Sequence, residues 1–126
     1  MLTKKPVLLI PVENQVRELD AKLLLACVAA RRGLTPIIGP KREVESRIAS
    51  FPRSVYIAKS MVQGNAQFLR IAYKLGHINV AWDEEALVHL PPDTYFSRRL
   101  SPEALAHVSH LFAWGEDNAE LWQKYP

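Results

Sequence analysis

"VLLIPVENQVRELDAKLLLACVAARRG", residues 7–33, decides the fold. Its first six residues, 7–12, are apolar without alternation, so the extended segment they form is buried on both faces. A polar junction follows, and then apolar residues return at helical spacing. Leu19, Leu23, Ala26, Cys27 and Ala30 keep that spacing, and Leu24, Leu25 and Val28 widen the arc. The spacing predicts a mostly buried helix. Gly33 is placed to end it in a left-handed conformation, with Pro36 just beyond. A doubly buried strand followed by a helix is the first half of a parallel crossover unit.

The same alternation continues outward. Four more short apolar runs read as strands: "TPIIG" (35–39), "SVYIA" (54–58), "INVAW" (78–82) and "HLFAW" (110–114). Between them lie helical patterns. "KREVESRIASF" (41–51) puts Val44, Ile48 and Phe51 on one side. "SMVQGNAQFLRIAYKLG" (60–76) opens with Ser60 and Gln63 in capping-box spacing, with Phe68, Ile71, Ala72 and Leu75 as its core stripe. "SPEALAHV" (101–108) starts on Ser101 as cap with Pro102 behind it, and "EDNAELWQKY" (116–125) is the last helix. Pro91-Pro92 interrupts residues 83–100, which read as a short helix and then a loop. The whole predicts an α/β fold: an open, doubly wound parallel sheet of five strands with helices on both faces. The expected strand order is 3-2-1-4-5, in a single domain over residues 1–126.

Composition sets further bounds. The chain has 126 residues, 48% hydrophobic and 23% charged, which suits one globular domain with its own core. A net charge of +3 permits an anionic ligand, but no basic run or aromatic-basic ladder argues for nucleic acid. The one cysteine, Cys27, forms no internal bridge and reads as a packing residue, which points to a reducing compartment. Pro6, Pro11 and Glu13 interrupt the N-terminal apolar run, so no signal peptide is expected. No stretch is long enough to span a bilayer. The expected location is the cytoplasm, or the inner membrane face as a peripheral protein.

In such sheets ligands bind beyond the carboxyl ends of the strands. The first strand delivers Glu13, Asn14, Gln15 and Arg17 to that rim, and Glu18 follows as a further candidate binding residue. The second delivers Lys41 and Arg42, the third Lys59 and Ser60, the fourth Asp83, Glu84 and Glu85, and the fifth Glu116. Glu18 and Asp20 suit a helix N-terminus, whereas Arg17 opposes the macrodipole there. Arg17 is therefore either held by Glu13 or an acid from the fourth strand, or faces a bound anion. Glu13, Asp83 and Glu84 are candidate catalytic carboxylates, for proton transfer or for sugar hydroxyls; acids enriched at helix starts are the alternative. Lys41 and Arg42 meet phosphate or solvent, and Ser60 is a helix cap or, less readily, a nucleophile. Trp82 and Trp114 pack in the core or form a sugar-stacking platform. His77, His89, His107 and His110 lack partners at metal-ligand spacing, so no metal site is expected. Neither G-x-G-x-x-G nor a Walker loop is present.

Taken together, "IPVENQVRELDAKLLLACVAARRG", "IIGPKREV", "YIAKS", "GHINVAWDEE" and "LFAWGEDNAELW" resemble the N-terminal part of the bacterial surface carbohydrate biosynthesis protein family. Those proteins are longer and are similar to glycosyltransferases built from two Rossmann-like domains, the GT-B plan. The resemblance implies a cytoplasmic protein that helps build capsule or lipopolysaccharide glycans. It implies an acceptor glycan in the cleft of this domain, and an activated nucleotide sugar, CMP-linked in some relatives, in a C-terminal domain beyond "QKYP". No cofactor is expected in this domain, and little turnover from it alone. Glu13, Arg17, Glu18, Asp83, Glu84 and Glu116 would face the cleft. Homo-oligomerisation stays open, because Leu24 and Val28 can bury against a further domain or a second copy. Two other readings stand beside this one: a non-catalytic, flavodoxin-like domain binding a small anion or a protein, and half of a nucleotide-sugar epimerase.

Overall fold

The computed structural model describes residues 4–86 and 90–126. His89 lies outside them. Five parallel strands form one sheet: β1 (Val7–Val12), β2 (Thr35–Pro40), β3 (Ser54–Ala58), β4 (Ile78–Ala81) and β5 (His110–Leu111). The helices are α1 (Gln15–Arg31), α2 (Lys41–Ser46), α3 (Ala66–Lys74), α4 (Pro92–Arg99), α5 (Pro102–Leu105) and α6 (Glu116–Gln123). The fold is the expected α/β, Rossmann-like sheet covered by helices on both faces.

The strand order is 2-1-3-4-5, not 3-2-1-4-5. β1 pairs with β2 on one side and with β3 on the other. The reason lies in "TPIIGP". Pro36 and Pro40 cannot donate to a ladder, so this segment is suited to an edge rather than to a place between two neighbours. β3 has no proline, is buried along most of its length, and takes the interior position. The topological switch point therefore falls between β1 and β3.

The two layers are unequal. On one face, α1 packs Ala26 and Ala29 over Leu8, Ile10, Ile57 and Val80. On the other, α2 to α6 enclose Leu9, Tyr56, Ala58, Met61, Leu69, Ala72, Ala81 and Tyr95. Because α6 joins this second layer, among the described residues α1 is the only helix in the first.

Several local expectations are revised. α1 is not mostly buried: only Lys22, Ala26 and Ala29 are, while Leu23, Leu24 and Val28 are exposed. Cys27 is exposed as well, and not a packing residue. α3 begins after a 3-10 turn at Gln63–Asn65, so Ser60 does not cap it. Its buried stripe is Ala66, Leu69 and Ala72; Ile71 and Leu75 lie outside it, exposed. Pro91-Pro92 opens α4 rather than breaking a helix, since a proline in the first turn loses no hydrogen bond. Ser101 caps α5 as expected, accepting from the Ala104 amide. Gly33 and Gly76 hold positive φ, 91° and 95°, where helices α1 and α3 end. No described helix is long and apolar enough to cross a membrane.

Candidate functional site

Parallel strands deliver their carboxyl ends to one rim, and a cleft of about 500 Å³ opens there between β1, β3 and β4. Its first wall is the start of α1. Asn14 is the N-cap: its Oδ1 accepts from the Arg17 amide at 3.3 Å. Glu18 reaches back one turn, accepting from the amides of Glu13 at 3.2 Å and Asn14 at 2.7 Å. The junction is thus tied at both ends by its own side chains, which satisfies amides that a helix start otherwise leaves unpaired.

An alternating charge network grows from that knot. Lys59, beyond the end of β3, sets its Nζ 2.8 Å from Glu18 Oε2, 3.6 Å from Glu84 Oε2 and 3.7 Å from Glu13 Oε2. Lys22, only 4% exposed, lies 2.8 Å from Glu84 Oε1 and 3.5 Å from Glu18 Oε1, and donates to the Pro11 carbonyl at 3.0 Å. Lys41 approaches Glu13 at 3.4 Å from the start of α2. Three carboxylates and three ammonium groups therefore interleave across four elements. Burial pushes the Glu18 carboxyl up, but hydrogen bonds from Lys59 and from the Asn14 and Glu13 amides outweigh it and lower the pKa to about 2.

The second wall is aromatic. Trp82 and Trp114 stack with ring centroids 5.7 Å apart and planes inclined by 28°. Trp82 donates to Glu84 Oε1 at 3.0 Å, and Lys22 Nζ sits 5.8 Å from its ring centre. Trp114 donates through Nε1 to the Asp83 carbonyl.

Beneath the cleft, Asp83 is sealed from solvent at 0% exposure. Arg99 grips both its oxygens, at 2.6 and 3.2 Å, and Tyr95 donates to Oδ2 at 3.0 Å. The Glu85 amide takes Oδ1 at 3.1 Å, and Trp122 donates to the Tyr95 hydroxyl at 2.9 Å. Burial and the adjoining Asp83 carboxylate push the Tyr95 hydroxyl up, so it stays a donor. The Asp83 hydrogen bond, opposed by burial, pushes Arg99 up in turn. This assembly locks α4 and α6 to the end of β4.

Eight of the residues expected at the rim line the cleft: Glu13, Asn14, Arg17, Glu18, Lys59, Ser60, Glu84 and Glu85. Lys41 joins through Glu13. Asp83 lies under the floor, and Glu116 lines a neighbouring hollow of about 490 Å³ on the far side of Trp114. Arg17 is exposed and, among the described residues, enters no ion pair; neither Glu13 nor an acid after β4 holds it. Ser60 accepts from Asn65 at 2.9 Å and is bonded to no histidine among the described residues. His77 is buried and structural, accepting from the Ser54 amide at 3.1 Å and meeting the Ile48 carbonyl at 2.9 Å. No cluster of three metal-ligating side chains forms among the described residues.

Sequence reasoning missed Lys22 and Arg99. Lys22 had a usable signal, since it shares a helix face with Ala26 and Ala29 and follows Glu18 by one turn. Arg99 had none until α4 was placed. The cleft offers carboxylate acceptors, ammonium and amide donors and an indole stack, with acids and bases nearly balanced. Comparison with protein-family models, curated proteins and solved structures returns no match.

Proposed function

We propose that this domain binds carbohydrate at the rim of its sheet, as the acceptor-side half of a glycosyltransferase-like protein of surface polysaccharide biosynthesis. The observation that carries the reading is the stacked Trp82–Trp114 pair beside Glu84 and Glu85 in a cleft open to solvent. Indole faces pack on the C–H faces of sugar rings, and flanking carboxylates accept their hydroxyls. Glu13 and Glu85 are the more exposed carboxylates of the cleft and make only longer ion pairs, to Lys41 at 3.4 Å and Arg99 at 3.6 Å, which leaves them better placed to meet a hydroxyl than Glu18 and Glu84, held by lysines at 2.8 Å. In this reading the nucleotide sugar belongs to a separate domain, and the glycan is engaged on the cytoplasmic side.

Titration with capsule or lipopolysaccharide oligosaccharides and with free Kdo, the acidic eight-carbon sugar that CMP-linked donors carry in some of the proteins the chain resembles, tests it. Bound sugar shifts the indole signals of Trp82 and Trp114 and the amides of residues 13–17 and 84–85, while a CMP-sugar alone leaves them in place. Unmoved signals at millimolar sugar would sink the proposal. A second reading, small-anion binding without catalysis, draws support from the exposed guanidinium of Arg17, which enters no ion pair among the described residues. Inorganic phosphate would then shift residues 14–18 and spare both indoles.

A further inference from the structure

The solvent face of α1 is built like an interface. Asp20, Leu24, Cys27 and Arg31 recur at spacings of four, three and four residues, and all are exposed. Leu24 is 67% exposed, and Leu23 and Val28, each 43% exposed, flank it. The buried side of the same helix, Lys22, Ala26 and Ala29, is fully used against the sheet. A helix needs only one apolar face to fold onto a sheet; this one carries a second.

The charges at the ends of the stripe say what covers it. Asp20 lies near one end and Arg31 at the other, with the apolar residues between. An antiparallel second copy, related by a two-fold axis between positions 25 and 26, sets Asp20 against the partner's Arg31 and Leu24 against the partner's Cys27. The same register seats Leu23 between the partner's Cys27 and Ala30 on one flank, and Val28 between the partner's Ala21 and Leu24 on the other. Each contact occurs twice, as an isologous interface requires. Small residues at Ala21 and Ala30 let the axes approach, and the three-four spacing suits the shallow crossing of paired helices. We infer that α1 is a homodimerisation surface whose occupant is α1 of a second copy.

The surroundings of α1 support this. As the lone described helix on its side of the sheet, it leaves strand residues beside it uncovered. Ile78 sits on the Val80 face of β4 and is 47% exposed. A helix of 17 residues is about 25 Å long, and one such pair alone buries less than a standard interface. The open flank of the sheet adds apolar area within the same contact. The expected dimer is weak and concentration-dependent.

A charge-swap cycle tests the register with the full chain. Sedimentation velocity from micromolar to near-millimolar protein should show a monomer–dimer shift. Asp20→Arg and Arg31→Asp should each weaken dimerisation roughly tenfold, because each puts like charges at two symmetric contacts. The double variant should recover most of the wild-type affinity. A short bismaleimide, which can react only at Cys27, should capture the wild-type and double-swap dimers and fail with Leu24→Glu. Circular dichroism controls for folding. A wild type that stays monomeric near millimolar overturns the inference. So does a dimer that ignores the swaps, or a double variant no tighter than the singles.

Discussion

Nζ of Lys22 lies 2.8 Å from Oε1 of Glu84, joining the inner face of α1 to the loop after β4 across the floor of the cleft. With Lys22 almost fully buried, its ammonium is acceptable only because Glu84, Glu18 and the Pro11 carbonyl surround it. Lys22→Met keeps the stem and removes the charge, leaving two carboxylates without their buried partner. The expected loss is about 3 kcal/mol in urea unfolding. The Lys22→Met, Glu84→Gln double variant should lose less than the sum of the singles, since the two positions share one interaction.

Glu18 makes the acid limb of stability steep. Its carboxyl titrates near 4.5 when unconstrained and at about 2 in the fold, because Lys59 and two backbone amides hold the charged form against the cost of burial. A depressed folded pKa contributes stability that is present above pH 4.5 and lost as the pH falls toward 2. Glu18→Gln removes that term. Its unfolding free energy should therefore change less than the wild type's between those limits, when both are followed by circular dichroism over a pH series.

Asp83 offers a way to tell architecture from chemistry. Its oxygens are occupied by Arg99, Tyr95 and the Glu85 amide, so no lone pair faces the cleft. Asp83→Asn should cost about 3 kcal/mol, because the Arg99 guanidinium loses its bidentate partner in a largely buried place. At temperatures where the variant stays folded, sugar binding should persist. Binding that vanishes while the fold survives would make Asp83 a ligand contact after all.

The layered architecture was readable because burial on both faces imposes unbroken apolar runs, and "VLLIPV" and "SVYIA" carry them without ambiguity. The order of those strands was also written in the sequence, in Pro36 and Pro40, but in hydrogen-bonding capacity rather than in hydropathy. The rim followed from the shared polarity of parallel strands, which is why Arg17, Lys59 and Glu84 meet. What escaped was any feature that depends on depth. Asp83 and Glu84 are neighbours in the chain, yet one is sealed below the floor and the other lines the cleft. Lys22 is a charged residue at a core position. The first fact has no local signature, because the side chains that seal Asp83 lie 12 to 16 positions away; the second was only half visible, in the helix-face spacing of Lys22 with Glu18 and Ala26, while its other acidic partner, Glu84, lies 62 positions on.

The indole pair should govern sugar affinity with little effect on folding. Trp114 is 47% exposed, so Trp114→Ala removes more of the cleft wall than of the core. Loss of one aromatic face is expected to weaken sugar binding roughly three- to tenfold. Trp114→Phe keeps a ring but loses the donor to the Asp83 carbonyl, and should fall between the two. Intrinsic fluorescence and isothermal titration of the three proteins check the ranking.

The two left-handed glycines should differ in a way that sterics alone predicts. A Cβ at Gly33 meets nothing nearby, so Gly33→Ala carries only the backbone penalty of positive φ, about 1 kcal/mol. At Gly76 the same penalty applies, and a Cβ would also lie 3.2 Å from Nε of Arg53, whose donation to the Gly76 carbonyl it disturbs. Gly76→Ala should therefore cost about 2 kcal/mol, the excess coming from a displaced hydrogen bond. In an Arg53→Ala background that excess has no source, and Gly76→Ala should then cost the same as Gly33→Ala. Thermal unfolding of the four variants decides it: a Gly76→Ala penalty unchanged by Arg53→Ala would mean that backbone conformation accounts for the whole effect.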